Sequence, residues 1–360
     1  MVNTLSHLGV GLLIASVAGL NSRQIRIVAF MAILPDLDFI LNALLIAIDQ
    51  DLSHQTYNSL YYLFGHREFM HSIIFVSLVT LYIWFREKNR ILTIASGAAI
   101  FSHIYLDYVT SWKMRPFFPF VTDSSTIGAI DFFDPVVTII SFIPIVYILA
   151  EHAKNNGNNK NNGLKRINDV LKDRNNWFNG LSKGKHKVFY RNLLIVFTIW
   201  CLFNPIAKAF LIDHIAETEG HKIDYQGSYP ISPGKFLSAY SYNDTHYRIL
   251  ISSYWSGIEK STFVRKYPRN EDEFIGYLSK AETLYGNSLP GEIDYPVYDV
   301  SASENNVTVT LNDARNPLAQ YWAYFKTDYV FVFDTDTGNY QVYIKRNVQY
   351  GKPVPMNLFE

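Results

Sequence analysis

Ionisable side chains lie within stretches of this sequence that are otherwise apolar, and they are its first candidates for chemistry. A charged side chain at the centre of a membrane helix costs roughly 2.5–3.5 kcal/mol on insertion scales, so such residues are usually kept for a function. Imidazole and carboxylate groups together are ligands that suit zinc, manganese or iron. The predicted metal ligands are His7, Asp36, Asp38, His66, His71, His103 and Asp107.

The spacing of these residues limits how they can meet. His103 and Asp107 are four residues apart, so on a helix both project from one face and can reach one metal ion. Asp36 and Asp38 are two apart and would diverge on a regular helix, so we expect the chain to break at Pro35. The candidates outnumber the four ligands of a tetrahedral zinc site. The sequence therefore predicts one or two divalent ions, with zinc favoured and manganese or iron as alternatives.

The chemistry predicted for such a site is metal-assisted hydrolysis. A bound cation lowers the pKa of a water molecule toward about 7 and polarises the bond to be cleaved. One of Asp36, Asp38 and His66 is expected to act as the general base. Arg67 either binds an anionic substrate group or is only an interfacial anchor, and both roles stay open. The predicted catalytic residues are Asp38, His66 and Arg67.

Two other classes of function fit the same residues. Buried histidine and aspartate also mark ion pathways through membranes, so the cluster could serve metal-ion binding or transport. Alternatively, the helices only anchor a non-catalytic binding domain. In that case the aromatic-rich face of the outer domain binds a partner and the metal is structural. Residue by residue, His103 and Asp107 could instead form a polar pair between helices, and Asp36 and Asp38 could be counter-ions to Arg67. Asp134, directly before Pro135, is typical of a helix N-cap, although a ligand role stays open.

Six apolar segments would have to position these residues, at 8–20, 27–48, 69–85, 91–110, 129–150 and 193–212. A membrane-spanning helix needs about 17–25 mainly apolar residues, so we predict a bundle of about six transmembrane helices. The predicted domains are a five-helix membrane domain over 1–150 that carries the metal site, a basic flexible cytoplasmic linker over 151–191, a sixth transmembrane helix over 192–212, and a small soluble domain over 213–360.

Lysine and arginine in the connecting segments predict the orientation. Basic residues lie after the first apolar segment, between the third and the fourth, and in the 151–191 linker, which alone holds ten. Because basic loops stay in the cytoplasm, the metal site is expected in the outer half of the bundle and the 213–360 domain outside the cell. The expected location is the plasma membrane, with several membrane crossings.

The region 213–360 has the alternating pattern of β-strands. Strands are predicted in 246–255, 305–311 and 329–344, the last of these a hairpin that turns at Asp336–Gly338. Residues 271–285 predict one amphipathic helix, so the expected fold is a small α+β or mostly-β domain. The stretch around this turn also resembles the start of a calcium loop, but it lacks the later glutamate, which favours a simple hairpin.

The amino-acid composition limits the classes of partner that this protein is expected to bind. The formal net charge is zero, so no basic surface points to nucleic acid, and the charged fraction of 18% is low for a soluble protein. Cys201 is the only cysteine, which excludes a zinc site built from cysteines. The expected partners are the lipid bilayer and an amphipathic substrate, with a phospholipid or another lipid-linked phosphoester favoured.

The order of these motifs resembles a known family. An N-terminal histidine is followed by LPDLD at 34–38, HREFMHS at 66–72 and HIYLD at 103–107. Over about the first 150 residues this order resembles the bacterial and archaeal membrane-bound metal-dependent hydrolases. The resemblance implies an inner-membrane protein that uses a metal at these ligands for hydrolysis.

Smaller matches and departures accompany this resemblance. Phe118–Pro119–Phe120 and Phe133–Asp134–Pro135 follow the pattern of the family. Phe69 stands where the family usually has glycine, and Ser111–Trp112 replaces its Tyr-Gly. These departures leave the predicted metal ligands unchanged. They argue against assuming that this protein shares a substrate with the family.

Overall fold

The structure, a computed structural model, describes residues 4–48, 54–110, 113–159, 184–288, 293–319, 327–346 and 354–355. The chain divides into two compact units, Met1–Pro205 and Ile206–Glu360. The first unit is helical and the second contains two antiparallel sheets. The expectation of a helical membrane part followed by a smaller domain rich in β-strands is therefore confirmed at this coarse level.

The helices of the first unit are mostly short. Two single 3-10 turns, Pro35–Leu37 and Phe69–His71, lie between them. The helices are α1 (Thr4–Val17), α2 (Ser22–Ile33), α3 (Asp38–Ala47), α4 (His54–Phe64), α5 (Ile73–Glu87), α6 (Arg90–Val109), α7 (Pro135–Asn159) and α8 (Gly184–Glu219), of which α8 continues into the second unit.

Local sequence explains where several of these helices begin and end. Asn21 caps α2 in a capping box with Gln24, and Asn89 accepts a hydrogen bond from Leu92 N at the start of α6. Pro35 has no backbone N–H to continue α2, and the chain bends by 56° between Ser22–Ile33 and Pro35–Leu45. The predicted break at Pro35 is confirmed.

The prediction of six transmembrane helices is not supported. Among the described residues, two helices are long and apolar enough to cross a membrane, Arg90–Val109 and His186–Glu219, and the bent pair makes three if it counts as one span. Helix α1 has 14 residues, which gives a length of about 21 Å against about 30 Å for the hydrocarbon core. The apolar segments are thus real, but turns and breaks divide them.

Helix α1 lies at the centre of the first unit and packs on α2, α6 and α7. Small residues make this close approach possible. A Cβ atom at Gly9 would lie 1.8 Å from Ser141 O on α7, and one at Gly11 would lie 2.5 Å from the Cβ of Ala32 on α2. The backbone of α1 therefore fits where a larger side chain could not, and this fixes the position of His7 in the interior.

In its described residues, the second unit contains two sheets of antiparallel neighbours, in the orders β1-β2-β3-β4 and β5-β6-β7-β8-β9, and one α-helix in addition to the end of α8. The helix is α9 (Glu271–Ser288). The strands are β1 (Tyr229–Ser232), β2 (Lys235–Ser241), β3 (His246–Ser253), β4 (Gly257–Arg265), β5 (Pro296–Ala302), β6 (Asn306–Asp313), β7 (Thr327–Asp334), β8 (Tyr340–Arg346) and β9 (Val354–Pro355).

Three predicted strand regions and the predicted helix are confirmed, as β3, β6, the β7–β8 hairpin and α9. In the hairpin turn, Asp334 Oδ1 accepts hydrogen bonds from the backbone N–H groups of Asp336 and Thr337, and Gly338 has a φ of 70°. The carboxylate thus stabilises a turn, as the hairpin interpretation predicts. Strands β1, β2, β4, β5 and β9 were not predicted.

A buried charge cluster lies at the end of β6. The guanidinium of Arg315 is inaccessible to solvent and donates hydrogen bonds to both carboxylate oxygens of Asp313 and to Asp294. It also donates to Gly227 O at 2.9 Å, and so connects the chain before β1 with the chain after β6. Because removing one member of a buried ion pair leaves an uncompensated charge, this arginine is a main support of the second unit.

Candidate metal centre

Helix α6 supplies the two residues that were predicted to share a helical face. His103 and Asp107 are both buried and project toward α1 and α2. His103 Nδ1 lies 2.7 Å from Ala32 O. This carbonyl belongs to the last turn of α2, where carbonyls lack partners within the helix, and it can only accept a hydrogen bond. The break at Pro35 therefore leaves an acceptor that orients His103.

The 3-10 turn before α5 supplies His71, which is fully buried. Its Nδ1 lies 3.0 Å from Asp38 Oδ2, and its Nε2 lies 3.2 Å from His103 Nε2. The N–H of a neutral imidazole goes to whichever nitrogen faces an acceptor. Both Nδ1 atoms face oxygen atoms that can accept a hydrogen bond; in the tautomer with the proton on Nδ1, both Nε2 atoms would carry lone pairs that face each other.

Two lone pairs at this distance repel each other unless a cation lies between them. Two histidine nitrogens bound to one tetrahedral zinc, each at about 2.0–2.1 Å, lie about 3.3 Å apart. The observed separation of 3.2 Å between His71 Nε2 and His103 Nε2 fits that arrangement.

Carboxylates complete this group. Asp107 Oδ2 lies 3.5 Å from His71 Nε2 and 4.0 Å from His103 Nε2, and Asp36 Oδ1 lies 3.5 Å from His103 Nε2. Asp107 Oδ2 is buried and accepts no hydrogen bond from the described residues, although Arg67 Nη2 lies 3.3 Å away. One atom from each of the four residues Asp36, His71, His103 and Asp107 lies within 4.8 Å of the other three, as a metal site requires.

A second group of possible ligands shares His71 and adds Asp38 and His66. Asp38 is fully buried, and its Oδ1 lies 2.7 Å from His66 Nδ1. Its other oxygen faces His71 Nδ1 and accepts a hydrogen bond from the backbone N–H of Arg67 at 3.0 Å. Asp38 thus lies at the Nδ1 atoms of two histidines, in hydrogen-bond contact with His66 and 3.0 Å from His71, which is where carboxylates commonly orient histidines that bind a metal through Nε2.

Arg67 has a left-handed backbone conformation with a φ of 69°. This conformation costs of order 1–3 kcal/mol for a residue other than glycine and persists where surrounding contacts compensate. Here it directs the backbone N–H to Asp38 while the guanidinium reaches Asp107. The side chains of His66 and Arg67 are 22% and 15% exposed, so the centre is open to solvent on this side.

His7 lies against the centre from α1. Its ring stacks on that of His103 with a centroid distance of 3.6 Å, and its Nε2 lies 3.2 Å from Asp107 Oδ1. Thr4, one turn earlier, donates a hydrogen bond of 2.6 Å to Asp36 Oδ2. The first turn of α1 therefore contacts one carboxylate oxygen of Asp36 and one of Asp107. The other oxygen of each carboxylate faces His71 or His103. All seven predicted ligands lie in one cluster, with His7 outside the two groups described above.

Glu68 and Arg115 were not among the predicted residues. Glu68 lies between His66 and His71 in the sequence. Its side chain is buried and forms an ion pair with Arg115, which follows α6. Burial raises the pKa of Glu68 to about 7, although the positive charge of Arg115 lowers it in part. For Glu68, the signal in the sequence was its position between two candidate histidines. That signal gave no indication that Arg115 would be its partner.

Asp134 has the structural role. Its Oδ1 accepts a hydrogen bond of 2.8 Å from Val137 N in the first turn of α7, and Trp200 Nε1 lies 3.2 Å from both carboxylate oxygens. Burial raises the pKa of Asp134. These contacts are those of a helix N-cap. Among the described residues Asp134 is in neither group of possible ligands.

The fold and the site thus define a helical unit that contains, among the described residues, two or three apolar spans long enough to cross a membrane and a buried cluster that could hold a metal ion. Residues 1–167 match the family model described as YdjM inner membrane protein. No curated protein and no solved structure matches the chain. The match spans every residue of the cluster and, with the apolar helices, indicates a membrane location. It confirms the sequence resemblance as far as a membrane family with a possible metal site, and hydrolysis stays a prediction.

Proposed function

We propose that this protein is a membrane-bound hydrolase that depends on a divalent transition metal. The observation that carries the proposal is the pair of facing Nε2 atoms of His71 and His103, 3.2 Å apart, each with an acceptor behind its Nδ1. Zinc suits two imidazoles and carboxylates best, and manganese or iron would also accept this set. Cysteine plays no part, because Cys201 is buried elsewhere in the core.

The residues that would hold one ion are His71, His103, Asp107 and Asp36. When bound, the ion would lower the pKa of a water molecule and polarise the scissile group of the substrate. Asp38 lies behind His71 and keeps its Nε2 free of the proton. A second ion would need Asp38 and His66 as ligands, and this is the alternative that the experiments below distinguish.

His66 is the group we assign as general base. Asp38 Oδ1 lies 2.7 Å from His66 Nδ1, so the proton is held on that nitrogen and Nε2 is left to accept another. The ring of Phe39 stacks on His66 at 3.7 Å and holds its plane. Unlike His71 and His103, His66 is partly exposed, so a proton taken from a reacting water can leave to solvent.

Arg67 is the group we assign to an anionic part of the substrate. Its Nη2 lies 3.3 Å from Asp107 Oδ2 and its side chain is 15% exposed, and arginine binds phosphate oxygens with two parallel hydrogen bonds. A phosphoester therefore suits the site better than a neutral ester. Because the centre belongs to a membrane unit, we propose an amphipathic or lipid-linked phosphoester as the substrate.

The orientation we propose rests on α6 and α8, and it requires α7, a shorter apolar helix, to return the chain across the membrane between them. Each of the two helices begins at a basic stretch, Arg86–Arg90 for α6 and the basic residues of 151–191 for α8, and basic stretches stay in the cytoplasm. The ends of α6 and α8 would then face outward, with the centre near the outer face and residues 220–360 outside. This argument does not need six transmembrane helices.

Metal analysis of the purified full chain tests the proposal. We expect a transition metal in the wild type, much lower occupancy in His103→Ala and Asp107→Ala, and no change in His214→Ala, whose histidine is exposed on α8. His66→Ala should keep the metal and lose turnover of phosphoesters in a substrate panel. A wild type without metal that zinc or manganese cannot restore would refute the enzyme. Metal uptake into proteoliposomes without hydrolysis would favour a transporter instead.

A further inference from the structure

The loop between α6 and α7 carries large apolar side chains that point away from the protein. Phe120 is 83% exposed and Phe117 is 48% exposed, and Val121 and Phe133 are exposed as well. Phenylalanine gains nothing from water, and exposed aromatic residues close together commonly mark a surface that contacts another molecule or a membrane.

The position of this loop in the chain identifies that partner. The loop follows Val109, the last residue of α6, and α6 is one of the two single helices among the described residues that are long and apolar enough to cross a membrane. The loop therefore begins where the chain leaves the bilayer, at the end of α6 that carries His103 and Asp107. Aromatic side chains are typical of the headgroup layer at a membrane boundary, where their rings enter.

The base of the loop is attached to the segment that carries the histidines. Arg115 forms its ion pair with Glu68, and Pro116 O accepts a hydrogen bond of 2.9 Å from Ile73 N, two residues after His71. Between the exposed rings, Phe118 turns inward and stacks on Tyr62 at 5.7 Å. Met114 pairs with Ser125 and closes the loop. The exposed rings are thus presented from a fixed base, alternating with rings that pack.

We propose that Phe117, Phe120 and Val121 insert into the boundary between headgroups and acyl chains of the bilayer, beside the metal centre. The occupant of this surface is the lipid bilayer itself. The contacts with Glu68 and Ile73 then place the opening at His66 and Arg67 next to the lipid headgroups. The insertion depends only on the membrane location and is independent of hydrolysis.

Spin labels on the full chain in phosphatidylcholine vesicles test this proposal. Phe117→Cys and Phe120→Cys are labelled with a nitroxide, and accessibility to oxygen is compared with accessibility to a water-soluble nickel chelate. Ile94→Cys, exposed on α6, gives the lipid reference, and Asp244→Cys, in an exposed turn of the second unit, gives the aqueous reference. Native Cys201 is buried, so unsubstituted protein taken through the same labelling shows its contribution.

The ratio of oxygen to nickel accessibility at 117 and 120 should approach that at 94 and exceed that at 244 several-fold. Ratios at both positions equal to that at 244 would overturn the proposal. The melting temperature of each labelled protein in detergent reports whether the variant is folded, and both labelled side chains are exposed, so misfolding is not expected. Failure of the hydrolase proposal would leave these ratios unchanged, so the two outcomes are distinguishable.

Discussion

Substitution of Asp38 distinguishes a carboxylate that orients histidines from one that binds a metal itself. Three groups converge on it: His66 Nδ1 at 2.7 Å from Oδ1, and His71 Nδ1 and Arg67 N, both at 3.0 Å from Oδ2. In Asp38→Asn the amide offers one acceptor oxygen and one donor NH2 group. Placing the oxygen at the Oδ2 position keeps two of the three contacts, whereas the opposite placement keeps one. We therefore expect the NH2 group to face His66.

This placement changes the two histidines differently. His71 keeps its acceptor, so its Nε2 stays available, and we expect metal affinity to fall by at most about tenfold, or about 1.4 kcal/mol. The NH2 group facing His66 Nδ1 forces the proton of that ring onto Nε2, which removes the general base. Turnover should then fall by about 10²–10⁴-fold while the metal is retained.

Asp38→Ala should behave differently, because it removes both acceptors. His71 then has no carboxylate behind it, and metal affinity should fall by about 10–100-fold, or about 1.4–2.7 kcal/mol. Chelator competition followed by elemental analysis measures both variants, and Asp134→Asn, at the N-cap of α7, is the matched control with unchanged affinity. If Asp38→Asn loses metal as completely as Asp38→Ala, Asp38 is a ligand. If Asp38→Ala binds as tightly as wild type, the orienting role is wrong.

Three further predictions concern stability. Gly9→Ala should lower the melting temperature in detergent, because its Cβ would lie 1.8 Å from Ser141 O and overpacking costs about 1–3 kcal/mol. Gly276→Ala on α9, where a Cβ has nothing within 4 Å, should leave the melting temperature unchanged. Equal melting temperatures of the two variants would contradict the packing of α1 on α7. Arg315→Met should lower the free energy of unfolding of the second unit in denaturant by about 3–5 kcal/mol, because it breaks a buried ion pair. Arg248→Met, in a more exposed ion pair, should lower it by about 0–1 kcal/mol. Similar losses in the two variants would contradict the argument from burial. Chelator treatment should lower the melting temperature and zinc should restore it, since a ligand at 100 times its Kd adds about 2.7 kcal/mol; no shift would argue against a bound metal.

The sequence predicted the members of the site better than their roles. The spacing of His103 and Asp107 is a property of one helix, and Pro35 acts on the chain next to it, so both are visible locally. That Asp38 faces His66 and His71, across 28 and 33 residues of chain, depends on how α2, α3 and the turn before α5 pack. The acceptor Ala32 O has no side-chain signal at all, because it exists only where the helix ends.

The same difference between local sequence signals and features set by packing explains which strands were predicted. The residues of β6 alternate between partly buried and buried along its whole length, and this strand was predicted from its alternating sequence. Strand β2 has five consecutive buried residues, from Phe236 to Tyr240, so no period of two is present to find. Apolar runs misled the count of membrane helices for a related reason. Hydropathy averages over a window, and the 56° bend after Ile33 leaves the average unchanged.

Charge balance gives an independent reason to expect a divalent ion. The cluster brings together three carboxylates, of Asp36, Asp38 and Asp107, and within it Arg67 is the one permanently charged cation among the described residues. With neutral histidines, three carboxylates against one guanidinium leave two negative charges in a largely buried site, and uncompensated buried charge is costly. An ion of charge two balances them with all four histidines of the cluster neutral. Protonation of His71 or His103 would place a hydrogen on an Nε2 atom whose partner lies 3.2 Å away, and so compete directly with the metal.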